Sequence, residues 1–312
     1  MNQSTVFIAL NREIVDAGSL RKLEEAYDRV VLTAERDRAI DEMAELHPPV
    51  TAAIIGVRER IDAGVLERLP ALRLLGSASV GSDHLDLEAL RRRNVRVILA
   101  AGVNAVSVAE HALAMILAQT KQLLPGQAAV IAGQDRAGLP ALPRELRNQR
   151  IGILGAGNTA VALLRLLSGF GVEARVWTRD PSRHPEVTEL GGRFAELEEV
   201  ISTSEVLSVH LASAAETLGL LNRERLLALP HGAVVVNVAR REIFDVDALA
   251  DVVAERPDLR FAIDDFHLAA DGVVKELGPT ALFSPHVAGV TQESLKALQE
   301  HVVREVIAAA AR

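Results

Sequence analysis

A strand, a glycine turn, a helix and a second strand follow one another between Arg150 and Arg179, RIGILGAGNTAVALLRLLSGFGVEARVWTR, and no other stretch limits the fold so tightly. The apolar run Ile151 to Leu154 stops at Gly155, and Gly155-Ala156-Gly157-Asn158-Thr159-Ala160 fits G-x-G-x-x-G/A. Val161, Leu164, Leu167 and Phe170 recur at helical spacing, Gly171 closes that helix, and Val172 to Trp177 form the second strand. Each position has a physical task. Gly155 permits a tight turn, Gly157 lets the backbone approach a pyrophosphate, and Ala160 is small enough for close helix–strand packing. The helix opens at Asn158 and Thr159, and its N-terminus attracts phosphate. Gly155, Gly157, Asn158 and Thr159 are therefore candidate cofactor-binding residues of a dinucleotide unit.

The end of the second strand bears on which dinucleotide. NAD sites usually place Asp or Glu there for the ribose hydroxyls. Here stand Thr178 and then Arg179, with Arg183 beyond. No carboxylate at Thr178 repels a 2′-phosphate, and guanidiniums can clamp one. NADP(H) is the favoured cofactor and NAD(H) the alternative. Asp180 nearby, and the frequency of arginines on solvated loops, weigh the other way.

At 312 residues the chain is long enough for two domains with their own cores. Apolar residues make up 49% and charged residues 24%, the balance of a soluble globular protein. A formal net charge of −8 argues against nucleic acid or an anionic membrane as partner. With no cysteine, disulfides and thiol catalysis are excluded. The segment MNQSTVFIALNREI has neither a basic stretch nor a long apolar one, and no apolar run is long enough to span a membrane, so the expectation is a cytoplasmic protein.

Upstream of the glycine turn the pattern is again strand and helix. Strands are expected at Val6–Leu10, Val30–Leu32, Ala52–Val57, Leu72–Ala78 and Val95–Leu99. Helices are expected at Leu20–Tyr27, Asp37–Leu46, Val65–Leu69 and Leu87–Arg93. Alternation of this kind predicts an α/β domain with a parallel sheet. Ala105 to Leu124 reads as one long helix, apolar nearly all round and so deeply buried or part of a subunit interface, with Ser107 and Glu110 as a capping box. Gln127 to Asn148, broken by glycines and prolines, reads as a loop. After the turn unit, strands are expected at Val206–Leu211, Ala233–Val238 and Arg260–Asp264, with helices at Arg223–Leu229, Val246–Glu255 and Gln292–Ala311.

Ligands of parallel sheets bind beyond the carboxyl ends of strands. Arg240 follows the apolar run Val234 to Ala239, and Asp264 ends another, so both are candidates. His286, in Ser284-Pro285-His286-Val287-Ala288-Gly289, is framed by proline and glycine in the manner of a rigidly presented imidazole. His47, His84, His111, His210 and His301 have no comparable claim.

These segments carry a resemblance. From about Leu72 to Glu300 the chain resembles the D-isomer-specific 2-hydroxyacid dehydrogenases. Ser79-Val80-Gly81-Ser82-Asp83-His84-Leu85-Asp86 is similar to the family's substrate-carboxylate loop. Gly102 to His111 is similar to the crossing into the cofactor domain. Asn237-Val238-Ala239-Arg240 and Ser284 to Gly289 are similar to the stretches carrying the substrate arginine and the catalytic histidine. The resemblance implies two α/β domains of Rossmann-like and flavodoxin-like type with parallel sheets and an interdomain cleft. The substrate domain comprises residues 1–99 and 288–312, and the dinucleotide domain residues 100–287. It implies that Arg240 binds the keto and carboxylate oxygens and that His286 passes a proton to the carbonyl as hydride arrives. Backbone amides of Val80 and Gly81 hold the carboxylate, while Ala239 and Asp264 face the cofactor. The substrate is then a small 2-keto acid of glyoxylate or hydroxypyruvate type, and the expected assembly a homodimer.

Three departures stand against that pattern. The family's glutamate, five residues beyond the position of Asp264, is Ala269 here, with Asp271 or Glu276 as substitutes. Arg241 replaces the glycine usual after the substrate arginine, and Leu99 stands where a polar residue is common. The rival expectation is a protein of the same fold that binds a nicotinamide cofactor or an organic acid with impaired turnover.

Overall fold

Short apolar runs alternating with helices resolve into two parallel sheets. The computed structural model describes residues 4–10, 15–265, 277–278 and 281–310. By its contacts the chain divides into two compact units, residues 1–104 with 290–312, and residues 105–289.

In the first unit, β1 (Thr5–Ile8), β2 (Arg29–Leu32), β3 (Ala52–Ile55), β4 (Leu74–Ser77) and β5 (Arg96–Leu99) pair in parallel in the order β2-β1-β3-β4-β5. This is the flavodoxin-like order. β1, β3 and β4 are buried at every position, which is why they read as unbroken apolar or small-residue runs. Between the strands run α1 (Ala17–Ala26), α2 (Ala39–Glu45), α3 (Ala63–Arg68) and α4 (Leu87–Arg92). Asp16, Asp62 and Asp86 start α1, α3 and α4 by accepting from first-turn N–H groups. The C-terminal helix, Gln292–Ala310, lays Leu298, Val302, Val303 and Val306 on this sheet. Gly76 in β4 makes room for it: a Cβ there would lie 2.6 Å from the Val302 side chain and 2.8 Å from that of Val306.

The second unit opens with α5 (Ala105–Thr120) and α6 (Leu123–Ile131). β6 (Arg150–Leu154), α7 (Asn158–Leu167) and β7 (Glu173–Trp177) form the glycine-turn unit. Then come α8 (Glu186–Glu189), β8 (Arg193–Phe194), α9 (Leu197–Thr203), β9 (Val206–Val209), α10 (Arg223–Leu227), β10 (Val234–Asn237), α11 (Leu249–Glu255), β11 (Arg260–Ile263) and β12 (Leu282–Phe283). The sheet order is β12-β11-β10-β9-β6-β7-β8, parallel throughout. Numbered within the unit from β6, that is 3-2-1-4-5-6 with a seventh strand added, the Rossmann arrangement with its switch point between β6 and β9.

Two sequence expectations need correction. The long helix is not continuous, because Gln122 adopts a left-handed conformation (φ 57°) and ends α5 before α6 begins. The residues read as a loop from Gln127 therefore start inside a helix. α5 is apolar on most faces because most of it packs within its own unit, against α7, β10 and β11. α5 leaves Val106 exposed, whereas α6 exposes Leu123, Leu124, Val130 and Ile131. The second correction is at Ser107, which caps nothing; its hydroxyl donates to the Ala288 carbonyl at 2.7 Å.

Candidate functional site

In the second unit, the candidate residues share one edge of the sheet. Ser284 to His286 follow β12, Asp264 follows β11, Ala239 and Arg240 follow β10, and His210 follows β9. Gly155 follows β6, and Thr178 and Arg179 follow β7. All are carboxyl ends, and the glycine turn sits at the topological switch point, where open α/β sheets bind ligands.

Gly155 has φ 105°, a conformation that L side chains rarely adopt. A Cβ there would also meet the His210 carbonyl oxygen at 2.6 Å, so the residue is glycine for two reasons. At Gly157, which precedes α7, a Cβ would find nothing within 4 Å. No side chain caps this helix start. Its first N–H groups and positive dipole end are thus presented to a phosphate, with Asn158 and Thr159 in the first turn. Ala160 is buried in the core beneath. A dinucleotide's pyrophosphate fits this cradle.

His210 was passed over as a sequence candidate. It is buried and neutral, its pKa pushed down to about 4 by burial, and its Nε2 lies 2.8 Å from Ser208 Oγ. Its backbone N–H bonds the Leu154 carbonyl (2.8 Å), tying β9 to the strand that leads into the turn.

Arg240 leaves β10 in extended conformation. Asn237 fixes that exit from both sides: its amide donates to the Arg240 carbonyl (2.8 Å) and its oxygen accepts the Ala239 N–H (2.9 Å). Asp264 is almost fully buried. One of its oxygens accepts from Ser284 Oγ (2.5 Å) and the Val287 N–H (2.9 Å), the other from the Ala288 N–H (2.7 Å). Its carboxylate is therefore a clamp on the segment carrying His286. His286 itself is half-buried and has φ 57°, a strained conformation for a non-glycine residue that the clamp imposes.

Two further side chains complete the clamp. His111 Nε2 lies 2.8 Å from Ser284 Oγ. The carboxylate can only accept, so Ser284 spends its proton on Asp264 and takes one from His111 Nε2. Ser107 and His111 are four residues apart on α5, hence on one face of it, and both reach the 284–288 segment. That i, i+4 spacing is the sequence signal for them, hidden by the plainer reading of Ser107 as a cap.

Past β7, the half-buried Thr178 is followed by the exposed Arg179, whose guanidinium pairs with Glu216 at 2.9 Å. Glu216 lies on the loop after β9, so the pair joins the loops on either side of β6. Arg183 is exposed, and Asp180 accepts from the Ser182 hydroxyl.

In the first unit, Val80 and Gly81 follow β4 at the corresponding carboxyl edge, Val80 with its side chain 37% exposed. Ala269, Asp271 and Glu276 lie outside the described residues. Among the described residues no group of His, Asp and Glu is arranged to hold a metal ion, and no helix is long and apolar enough to cross a membrane.

A Rossmann-ordered sheet with an uncapped glycine turn at its switch point defines a dinucleotide-binding α/β protein. Residues 113–288, more than half the chain, match the model of the D-isomer specific 2-hydroxyacid dehydrogenase NAD binding domain, and the chain belongs to that family. It is 29% identical to the glyoxylate reductase of Pyrococcus furiosus, over 96% of this chain and 91% of that one. It is 27% identical to the D-3-phosphoglycerate dehydrogenase of Archaeoglobus fulgidus, over 81% of this chain and 48% of that one. Its fold is that of the D-lactate dehydrogenase of Aquifex aeolicus, solved with NAD and lactic acid, with TM-score 0.82, 23% identity, and coverage of 99% and 96% of the two chains.

Proposed function

We propose that the protein reduces a small 2-keto acid of glyoxylate or hydroxypyruvate type to the 2-hydroxy acid, with NADPH preferred over NADH. The observation that carries this reading is the placement of Arg240 and a clamped His286 on the same carboxyl edge as an open glycine turn. A bound reduced nicotinamide supplies the hydride. Gly155, Gly157, Asn158, Thr159 and Ala239 form the cofactor's protein contacts, and Thr178 and Arg179 meet the adenosine ribose. Arg240, its exit fixed by Asn237, binds the keto oxygen and the carboxylate as a planar two-pronged donor. The backbone N–H groups of Val80 and Gly81 hold the carboxylate. His286 donates a proton to the oxygen that gains charge as hydride arrives, so that the alkoxide never accumulates. Asp264, Ser284 and His111 hold the histidine segment so that this proton is aimed.

The test is oxidation of NADPH and NADH against a panel of 2-keto acids, with Arg240→Gln beside wild type. Wild type is expected to turn over glyoxylate or hydroxypyruvate, and Arg240→Gln to raise KM and lower kcat together. No turnover on any 2-keto acid with intact cofactor binding supports the second reading, a binding protein with impaired chemistry, which Ala269 favours.

The exposed apolar side chains of α6, with Val130 at 73% and Ile131 at 78% exposure, support a homodimer formed through this helix.

A further inference from the structure

β4 ends at Ser77, and the chain continues Ala78-Ser79-Val80-Gly81-Ser82-Asp83-His84. Ser77 ends the strand, Ser79 follows the bend at Ala78, and both are buried. Ser77 Oγ lies 2.8 Å from Ser79 Oγ and 2.9 Å from His84 Nε2, and Ser79 Oγ lies 2.8 Å from the Gly81 carbonyl oxygen.

Proton bookkeeping gives these contacts one direction. A carbonyl oxygen cannot donate, so Ser79 spends its single proton on Gly81. Ser79 therefore accepts from Ser77. The remaining Ser77 contact, to the Gly56 carbonyl, is long at 3.4 Å, so the Ser77 proton goes to Ser79. Ser77 must then accept from His84, whose Nε2 carries hydrogen. The result is a relay, His84 Nε2–H to Ser77 to Ser79 to the Gly81 carbonyl. It pulls that carbonyl inward. In a planar trans peptide the Ser82 N–H is turned the opposite way, out of the relay.

We propose that His84, acting through Ser77 and Ser79, is the positioning residue that holds the Val80-Gly81 turn in the shape that receives the substrate carboxylate. The proposal rests on the assignment of Val80 and Gly81 to that carboxylate. It goes beyond it by naming what preorganises the turn. The groups around the ring are consistent with a neutral donor. Burial lowers the His84 pKa, against a smaller opposing pull from Asp83 and from Glu59. Glu59 is itself buried and held by the Gly56 N–H (2.8 Å) and Arg36 (3.5 Å). Neutral and protonated rings both carry the Nε2 hydrogen, so the relay survives protonation.

The test is steady-state kinetics and cofactor titration on wild type, Ser79→Ala, His84→Leu and His84→Gln, with long-range proton–nitrogen NMR of His84 in the wild-type protein. Loss of one buried hydrogen bond from the turn is expected to raise the keto-acid KM about tenfold in Ser79→Ala and His84→Leu. kcat is expected to change much less, and NADPH affinity not at all. His84→Gln, which keeps an N–H donor, is expected to return KM towards wild type. A neutral His84 with its proton on Nδ1 overturns the relay whatever the kinetics. Wild-type turnover with KM unmoved in Ser79→Ala and His84→Leu overturns the relay alone. A wild type that neither reduces a 2-keto acid nor binds oxamate overturns the carboxylate assignment and the relay with it.

Discussion

Arg179 and Glu216 show how a neighbour sets the value of a charge. Under the proposed function Arg179 stands beside the adenosine ribose, and without Glu216 its guanidinium would make a charge-assisted contact with a 2′-phosphate. With it, the phosphate must first displace a carboxylate at 2.9 Å. Both partners are more than half exposed, so the exchange is screened by solvent and salt. NADPH is therefore expected to bind about tenfold tighter than NADH, and Arg179→Ala to remove that difference while leaving NADH unchanged. Fluorescence titration of both cofactors checks this; equal affinities in wild type contradict it. Asp264 is the opposite case, a carboxylate shielded from water. Asp264→Ala leaves the buried Ala288 N–H and the Val287 N–H without their acceptor, at a cost of about 2–4 kcal/mol. The expected result is a lowered melting temperature together with a kcat reduced more than cofactor affinity. A kcat unchanged in a folded Asp264→Ala variant contradicts the clamp.

α5 and α6 separate two meanings of an apolar helix. α5 is apolar because most of it is buried in its own unit, with Gln119 bonding the Phe261 carbonyl at 2.8 Å from within. α6 exposes apolar side chains to solvent, and the doubly charged variant Val130→Asp/Ile131→Asp is expected to leave a monomer of 33.5 kDa where wild type has twice that mass. Light scattering at micromolar concentration decides; a wild-type monomer contradicts the interface. The strands and the glycine turn were legible in sequence because parallel strands covered on both faces must be apolar and a turn at φ 105° must be glycine. The break at Gln122 was not, since a left-handed non-glycine residue leaves no mark in periodicity. The four-residue α8 and two-residue β8 carry too few residues for a period to show. The positions of Arg240 and Asp264 at the sheet's carboxyl edge were legible from the apolar strands they follow, and His286 was singled out by the proline and glycine that frame it. His111, Ser284 and His84 were not, because their partners come from elements distant in sequence or depend on donor directions that only coordinates give.

At the scale of the whole molecule, the switch point couples stability to pH. His210 sits there neutral, its folded pKa about 4 against an unfolded value near 6.5. A depressed folded pKa means the unfolded chain takes up the proton first. The contribution is full above about pH 6.5 and is lost as pH falls towards 4, on the order of 3 kcal/mol in total. Below that, Asp258 continues the decline. Its pKa is depressed chiefly by hydrogen bonding from Arg256, so its contribution is present above the unfolded carboxylate pKa and lost under acid. Denaturant midpoints between pH 7 and pH 4.5 are expected to fall in wild type. In His210→Gln they are expected to stay nearly level, whatever that variant's stability at pH 7. Parallel slopes in the two proteins contradict the assignment.

The fold places the glycine turn, Arg240 and His286 along one sheet edge, and the central claim is that the histidine delivers a proton to a keto acid. The most direct measurement is kcat for glyoxylate or hydroxypyruvate reduction by wild type and His286→Asn, with NADPH affinity measured on both. The account predicts a kcat about 10²–10⁴-fold lower in His286→Asn with cofactor affinity unchanged. Equal kcat in the two proteins contradicts it.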